Sequence, residues 1–312
     1  MPAVGCYLLN NMIDQNYEAI KNLPDVRTLR ILLDEFERKL VSCTSLAEVV
    51  IAYSGISFIP FYIQTIPYLD FKEMPFFRAR QNIDENINPT ILTSTFSYPY
   101  SFFCNENNRA NIKRFPVFYA ADNFWTAVME TKLANGVNYF VTKWKFNTTR
   151  HVRFATFLHT NTNSENKWKI FSDGKRTNKD KDYRGLFPNK AEQLDILANY
   201  WANKFLFEEP PYMATSHLAH MLLYVYEIVD FIVYPSRVTK HLATNFAFHA
   251  NFVNRFGVIE KATCINVFTN NEQIDSWRFT MLGDINLNSI RWRQYSKTDR
   301  NNLSRDFHII IA

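Results

Sequence analysis

Glycine occurs only seven times in 312 residues, against 28 phenylalanines and 16 tyrosines. That scarcity is the strongest constraint on what the chain can build. Loops that cradle a phosphate with backbone N–H groups need glycine where the chain turns sharply or passes close to the ligand. No G-x-G-x-x-G follows a strand-like run and no G-x-x-x-x-G-K-[ST] is present, so Rossmann and P-loop cradles have no support. The lack of G-x-S-x-G removes the usual α/β-hydrolase elbow. Otherwise the chain has globular proportions. Hydrophobic residues make up 47% and charged residues 21%, enough for a sizeable core. The length suits one large domain, or a main domain with a smaller appendage.

Charge and cysteine usage narrow the class further. A net charge of +5 is modest, and the densest basic stretch, Gly174–Arg184, is diluted by Asp173, Asp180 and Asp182. It reads as a solvated loop, so nucleic acid is not an expected partner. Cys6, Cys43, Cys104 and Cys264 are far apart, with no C-x-x-C, and read as reduced thiols of a cytoplasmic protein. Met1–Asn10 lacks a basic start and a long apolar run, so no signal peptide is expected. Val49–Leu69 carries no charge and is long enough to span a bilayer. Ser54, Gly55, Ser57, Pro60, Gln64 and Pro67 argue instead for a buried segment and no membrane partner. Phe58, Phe61 and Tyr62 within it read as core packing.

Along the chain, residues 1–74 are expected to be mainly helical. Asp25 is a candidate N-cap, and Leu29, Leu32, Leu33, Phe36 and Leu40 recur at helical spacing. Near Lys72–Pro75 the texture changes to short aromatic, β-prone runs. Val117–Ala120 reads as a short buried strand. Asp122 is then expected to cap a helix through Trp125, Met129 and Leu133, ended by Gly136. Tyr139–Phe146 is expected to be a strand of alternating burial, Ala191–Phe207 an amphipathic helix and Thr215–Val225 another. Phe231–Tyr234 is expected to be a buried strand ending at Pro235-Ser236, and Ala262–Phe268 a further strand. The class is α+β.

Four segments stand out in order: Phe76-Phe77-Arg78-Ala79-Arg80, Asn108-Arg109-Ala110-Asn111, Pro116–Glu130, and Asp230–Ser236 followed by Asn245. The set resembles the RES domain, a bacterial family named for its Arg, Glu and Ser. The family pattern runs from an early "YR" through "GR-x-N", "P-v-l-Y-l-a" and "t-A-x-x-E" to "Y-x-x-T-q" and "D-G-i-x-Y-x-S". Thr126-Ala127-Val128-Met129-Glu130 reproduces the glutamate element. Tyr212, Thr215 and the run from Asp230 to Ser236 reproduce the late ones. Asn108 stands where the family has Gly, Phe231 replaces the Gly of "D-G-i", and Ser216 replaces Gln. The resemblance spans about residues 75–268. It divides the chain into an N-terminal mainly helical region (1–74), a catalytic domain (75–268) and a C-terminal extension (269–312) packed on it.

The resemblance implies an ADP-ribosyltransferase-like fold with a mixed β core, and cleavage of NAD⁺ at the nicotinamide–ribose bond with water or inorganic phosphate as acceptor. NAD⁺ is then the substrate and no cofactor is implied. The same site could serve a protein mono-ADP-ribosyltransferase, and a non-catalytic nucleotide- or protein-binding domain is the third class. Many family members are toxins paired with a helix-turn-helix antitoxin, which makes a regulatory protein or a homo-oligomer a further expectation. Departing nicotinamide leaves a cationic ribose for which one carboxylate suffices, and Glu130 is the candidate for it. Arg78 and Arg109 suit the diphosphate, Tyr119 the nicotinamide or ribose, and Ser236 a hydrogen bond to ribose or substrate. Catalytic roles thus fall to Glu130, Arg109, Tyr119 and Ser236. Substrate binding falls to Arg78, Arg109, Tyr119 and Ser236. Taken singly, Glu130 is a solvated helix charge, Arg109 a loop arginine, Tyr119 a core residue and Ser236 a turn residue. His217 and His220, near Glu208 and Glu209, lack a third ligand at metal spacing, so no metal is expected. His217 and His249 remain candidate cleft residues.

Overall fold

A computed structural model describes residues 18, 20–43, 45–54, 63–81, 83, 90–159, 162, 164–172, 187–239, 242–270, 273–307 and 309. The strands, in chain order, are β1 (Ile63–Ile66), β2 (Phe76–Gln81), β3 (Thr90–Leu92), β4 (Val117–Ala121), β5 (Val137–Phe146), β6 (Val152–Thr156), β7 (Phe231–Pro235), β8 (Thr244–His249), β9 (Gly257–Asn270), β10 (Gln273–Asn286) and β11 (Ser289–Gln294). With helices interposed between mostly antiparallel strands, the class is α+β. The chain forms two compact units. One holds the described residues up to Thr65 with Ser101–Phe115 and Arg153–Pro235. The other holds Ile66–Tyr100, Pro116–Val152 and the described residues from Ser236 onward.

In the first unit, Asp25 caps the helix Val26–Ser42 by accepting the Thr28 N–H at 3.0 Å. Leu29, Leu33, Phe36 and Leu40 form its buried stripe, as the periodicity requires. Phe36 packs against Tyr53 and Trp201, and Glu37 accepts from Tyr200 and Lys204 at 2.6 Å each, tying this helix to the helix Ala191–Phe207. The latter has the bounds its sequence pattern predicts. β6 and β7 pair in parallel, and β7 is buried along its whole length. The expected helix over Thr215–Val225 is an α-helix at Met213–His220 that loosens into a π turn at Met221–Val225. The Gly174–Arg184 stretch and Phe58, Phe61, Tyr62 and Cys6 lie outside the described residues. Among the described residues Cys43, Cys104 and Cys264 form no disulfide, and no helix is long and apolar enough to cross a membrane.

In the second unit the strand order is β8-β4-β2-β5-β9-β10-β11-β3, antiparallel throughout. One face carries a core of Phe77, Ala121, Phe124, Val128, Tyr139, Val141 and Ile265, with Leu303 and Phe307 from the C-terminal helix Arg300–Phe307. On the other face, Phe76 packs edge-on to Phe246 and Phe248, and Phe118 to Trp144. Three expectations are corrected here. Asn123, not Asp122, caps the next helix, accepting the Thr126 N–H at 2.9 Å. Asp122 instead accepts the N–H of Thr244 at 3.1 Å, fastening β4 to β8. That helix spans only Phe124–Met129, and Gly136, at φ 70°, shapes the entry to β5 rather than the helix end. β5 is buried almost continuously rather than alternately, because both faces of the sheet are covered there.

Candidate active site

Glu130 follows the last residue of the helix Phe124–Met129, with its N–H on the Thr126 carbonyl at 3.0 Å. The helix is short, capped by Asn123 and anchored by Phe124, Ala127 and Val128 in the core. Its exposed end therefore projects the glutamate from a fixed base. Ser236 Oγ donates to Glu130 Oε1 at 2.7 Å, and Asn245 Nδ2 donates to the same oxygen at 2.6 Å. Both donors are buried, whereas Glu130 is exposed. Oε2 has no partner among the described residues. Such charge-assisted bonds are among the stronger ones a protein makes. The structure thus brings together two of the candidate residues, Glu130 and Ser236. The hydroxyl proton of Ser236 points at Glu130, where a bond to substrate had been expected. Asn245 belongs to the recognised segments, yet nothing in the local sequence ties it to Glu130.

Arg78 lies in the middle of β2 and Tyr119 in the middle of β4. These strands share the pair Phe77–Ala121, and Arg78 Nη1 donates to the backbone carbonyl of Tyr119 at 2.6 Å. The guanidinium lies over the Phe118 ring, 5.2 Å from its centroid. Burial, helped by the neighbouring charge of Arg80, lowers the Arg78 pKa to about 9, so it stays a cation at neutral pH. Its Nε is buried without a partner, as is that of Arg80, and neither arginine has a carboxylate partner among the described residues. Alternation along the strands sets Arg78 with Phe118 on one sheet face, and Tyr119 with Ala121 on the face carrying the Glu130 helix. Tyr119 is the one half-buried residue of an otherwise buried strand, which suits a side chain facing a ligand as well as a core.

Arg109 belongs to the first unit. Asn108 and Asn111 exchange backbone hydrogen bonds at 2.9 and 3.2 Å, closing the turn that presents it. Asn108 is not among the residues of positive φ, so the family glycine is dispensable there. The Arg109 guanidinium stands over the Tyr212 ring, 5.6 Å from its centroid, with Nε buried and without a partner among the described residues. Tyr212 itself sits at φ 53° before the helix Met213–His220. The Glu208 carboxylate accepts the N–H groups of Ala214 and Thr215 and the Thr215 hydroxyl at 2.7–2.9 Å, capping that helix. Phe231 stacks on Phe154 at 5.2 Å, filling the position where the family has glycine.

The two candidate cleft histidines have structural occupations. His217 is 4% exposed and packs against Tyr53, and burial lowers its pKa to about 4. His249 Nδ1 accepts the Asn251 N–H at 3.0 Å as the cap of the helix Ala250–Phe256. No group of three metal-binding side chains occurs among the described residues. A groove of about 440 Å³ beside the C-terminal helix contains none of the candidate residues, and its Lys261–Asp306 and Arg293–Asp299 charges are mutually paired.

Glu130 is thus held by serine and amide donors, and Arg78 and Arg80 are half-buried without carboxylate partners among the described residues. No curated protein matches the chain. The RES domain family model matches residues 78–264, more than half of the chain, from Arg78 through Arg109, Glu130 and Ser236. The chain therefore belongs to the RES domain family.

Proposed function

We propose that this chain cleaves NAD⁺ at the nicotinamide–ribose bond, within an ADP-ribosyltransferase-like fold. The observation that carries the reading is the Glu130 carboxylate, held through one oxygen by Ser236, its other oxygen without a partner among the described residues. Membership of a family associated with NAD⁺-consuming toxins adds to it. In the reaction the C1″–N bond breaks and its electron pair leaves with nicotinamide, which departs neutral. The ribosyl carbon becomes oxocarbenium-like, and a fixed negative charge beside it stabilises that state more than the ground state. Water then adds its oxygen to C1″ and gives up a proton, forming ADP-ribose. Inorganic phosphate as acceptor forms ADP-ribose-1″-phosphate.

Arg78 and Arg109 are the proposed diphosphate ligands, Tyr119 is proposed to pack against nicotinamide or ribose, and Glu130 is the catalytic carboxylate. Such a protein acts as a toxin or defence effector by depleting NAD⁺ in the cytoplasm, with an antitoxin or regulatory protein as partner. The test is to incubate the purified chain with NAD⁺, with and without inorganic phosphate, and follow nicotinamide and the ribosyl product. ADP-ribose in both conditions identifies a hydrolase, and the 1″-phosphate only with phosphate identifies a phosphorylase. Label from NAD⁺ remaining on protein would mark a transferase. No nicotinamide under any condition refutes the proposal.

A further inference from the structure

Two donors meet on a single oxygen of Glu130, and only one of them has a role in the reaction above. The other is Asn245, whose Nδ2 lies 2.6 Å from Oε1. A terminal carboxylate on an exposed side chain turns readily about its last bond. Two hydrogen bonds from different segments, converging on Oε1, remove that freedom and leave Oε2 directed away from them.

The two donors are mounted differently. Ser236 opens a turn, held by its N–H on the Ala243 carbonyl. Asn245 lies inside β8, in register with Ala121 of β4, and is 5% exposed. Its neighbour Thr244 exchanges two hydrogen bonds with Asp122, at 3.0 and 3.1 Å. The next residue, Asn123, caps the helix that ends at Glu130. Asn245 and Glu130 are therefore two points on one continuous frame running from β8 through Asp122 and along the helix. Its amide is neutral, so it supplies direction rather than charge, as a support for a reacting group should.

We infer that Asn245 is a positioning residue that holds Oε1 of Glu130 so that Oε2 faces the developing ribosyl cation; this rests on the reaction proposed above. Asn245→Asp and Asn245→Ala separate positioning from packing. Aspartate keeps the shape but sets an acceptor and a negative charge against Oε1, whereas alanine merely removes the donor. A packing role makes aspartate the milder change, and positioning makes it the worse. Expected losses in kcat are about tenfold for alanine and about a hundredfold for aspartate, with KM for NAD⁺ within about twofold. In a Glu130→Gln background, alanine at 245 should cost less than about twofold, since the two residues act as a unit.

A second measurement reads the contact without turnover. The side-chain amide NMR signals of Asn245, assigned by their loss in Asn245→Ala, should shift when Glu130 becomes alanine. If aspartate is milder than alanine, or those signals do not move, the inference is overturned. If the parent releases no nicotinamide while the signals do move, the pairing stands and the proposed reaction falls.

Discussion

Glu130→Gln separates charge from shape at the candidate active site. Oε1 accepts from Ser236 at 2.7 Å and Asn245 at 2.6 Å, and a glutamine carbonyl oxygen can accept the same two bonds. The side chain then stays in place, while an NH₂ group takes the position of Oε2 and the negative charge is gone. A unit charge about 4 Å from a developing cation contributes about 4 kcal/mol at the effective dielectric of a protein surface. Glu130 is exposed, so water weakens this to about 3 kcal/mol, roughly a hundredfold in rate. Nicotinamide release at saturating NAD⁺ should fall by about that factor, with KM changed less than about threefold. The melting temperature should move by less than about 2 °C, because the hydrogen bonds are retained. A variant that melts like the parent and keeps more than about a third of its kcat would show that the charge takes no part in the transition state.

Ser236→Ala removes one of the two Oε1 donors from a fully buried position. Steady-state kinetics should show kcat down about tenfold and KM nearly unchanged. Arg78→Lys keeps the charge but loses the fork that reaches the Tyr119 carbonyl; KM for NAD⁺ should rise about tenfold, measured with nicotinamide riboside as the phosphate-free control, whose KM should not move. Glu208→Gln weakens the cap on Ala214 and Thr215 and should cost about 1 kcal/mol in urea unfolding. His217 is buried as the neutral ring, with a pKa lowered to about 4, so the unfolded chain binds its proton first as pH falls. Stability should be full above about pH 6.5 and decline toward pH 4 by about 2 kcal/mol, a decline that His217→Leu should reduce and denaturant titrations at pH 7 and 4.5 would reveal.

Short-range physics made several elements legible. A cap and a 3.6-residue stripe are both written within about ten residues, and the helices at Val26–Ser42 and Ala191–Phe207 follow them closely. The apolar runs of β4 and β7 likewise need only their own composition. Where long-range contacts compete, the local signal misleads. Asp122 and Asn123 are both good caps, and Asn123 takes the helix because Thr244, on the neighbouring strand β8, engages Asp122. The alternation expected of β5 vanishes because Tyr139 and Val141 face one core while Phe140, Trp144 and Phe146 meet the rings of Trp292, Phe118 and Phe248 on the other face.

The same division holds at the site. Residue type and spacing along the sequence alone determined the family, the candidate carboxylate and arginines, and the absence of a glycine-built phosphate cradle. Only the tertiary structure decided that Ser236 and Asn245 share one oxygen of Glu130, that Arg78 reaches the backbone of Tyr119 rather than its ring, and that Arg109 rests on Tyr212. The physical reason is range. Side-chain chemistry is a property of single residues, whereas which donor meets which lone pair depends on strand register and helix placement set by contacts more than a hundred residues apart.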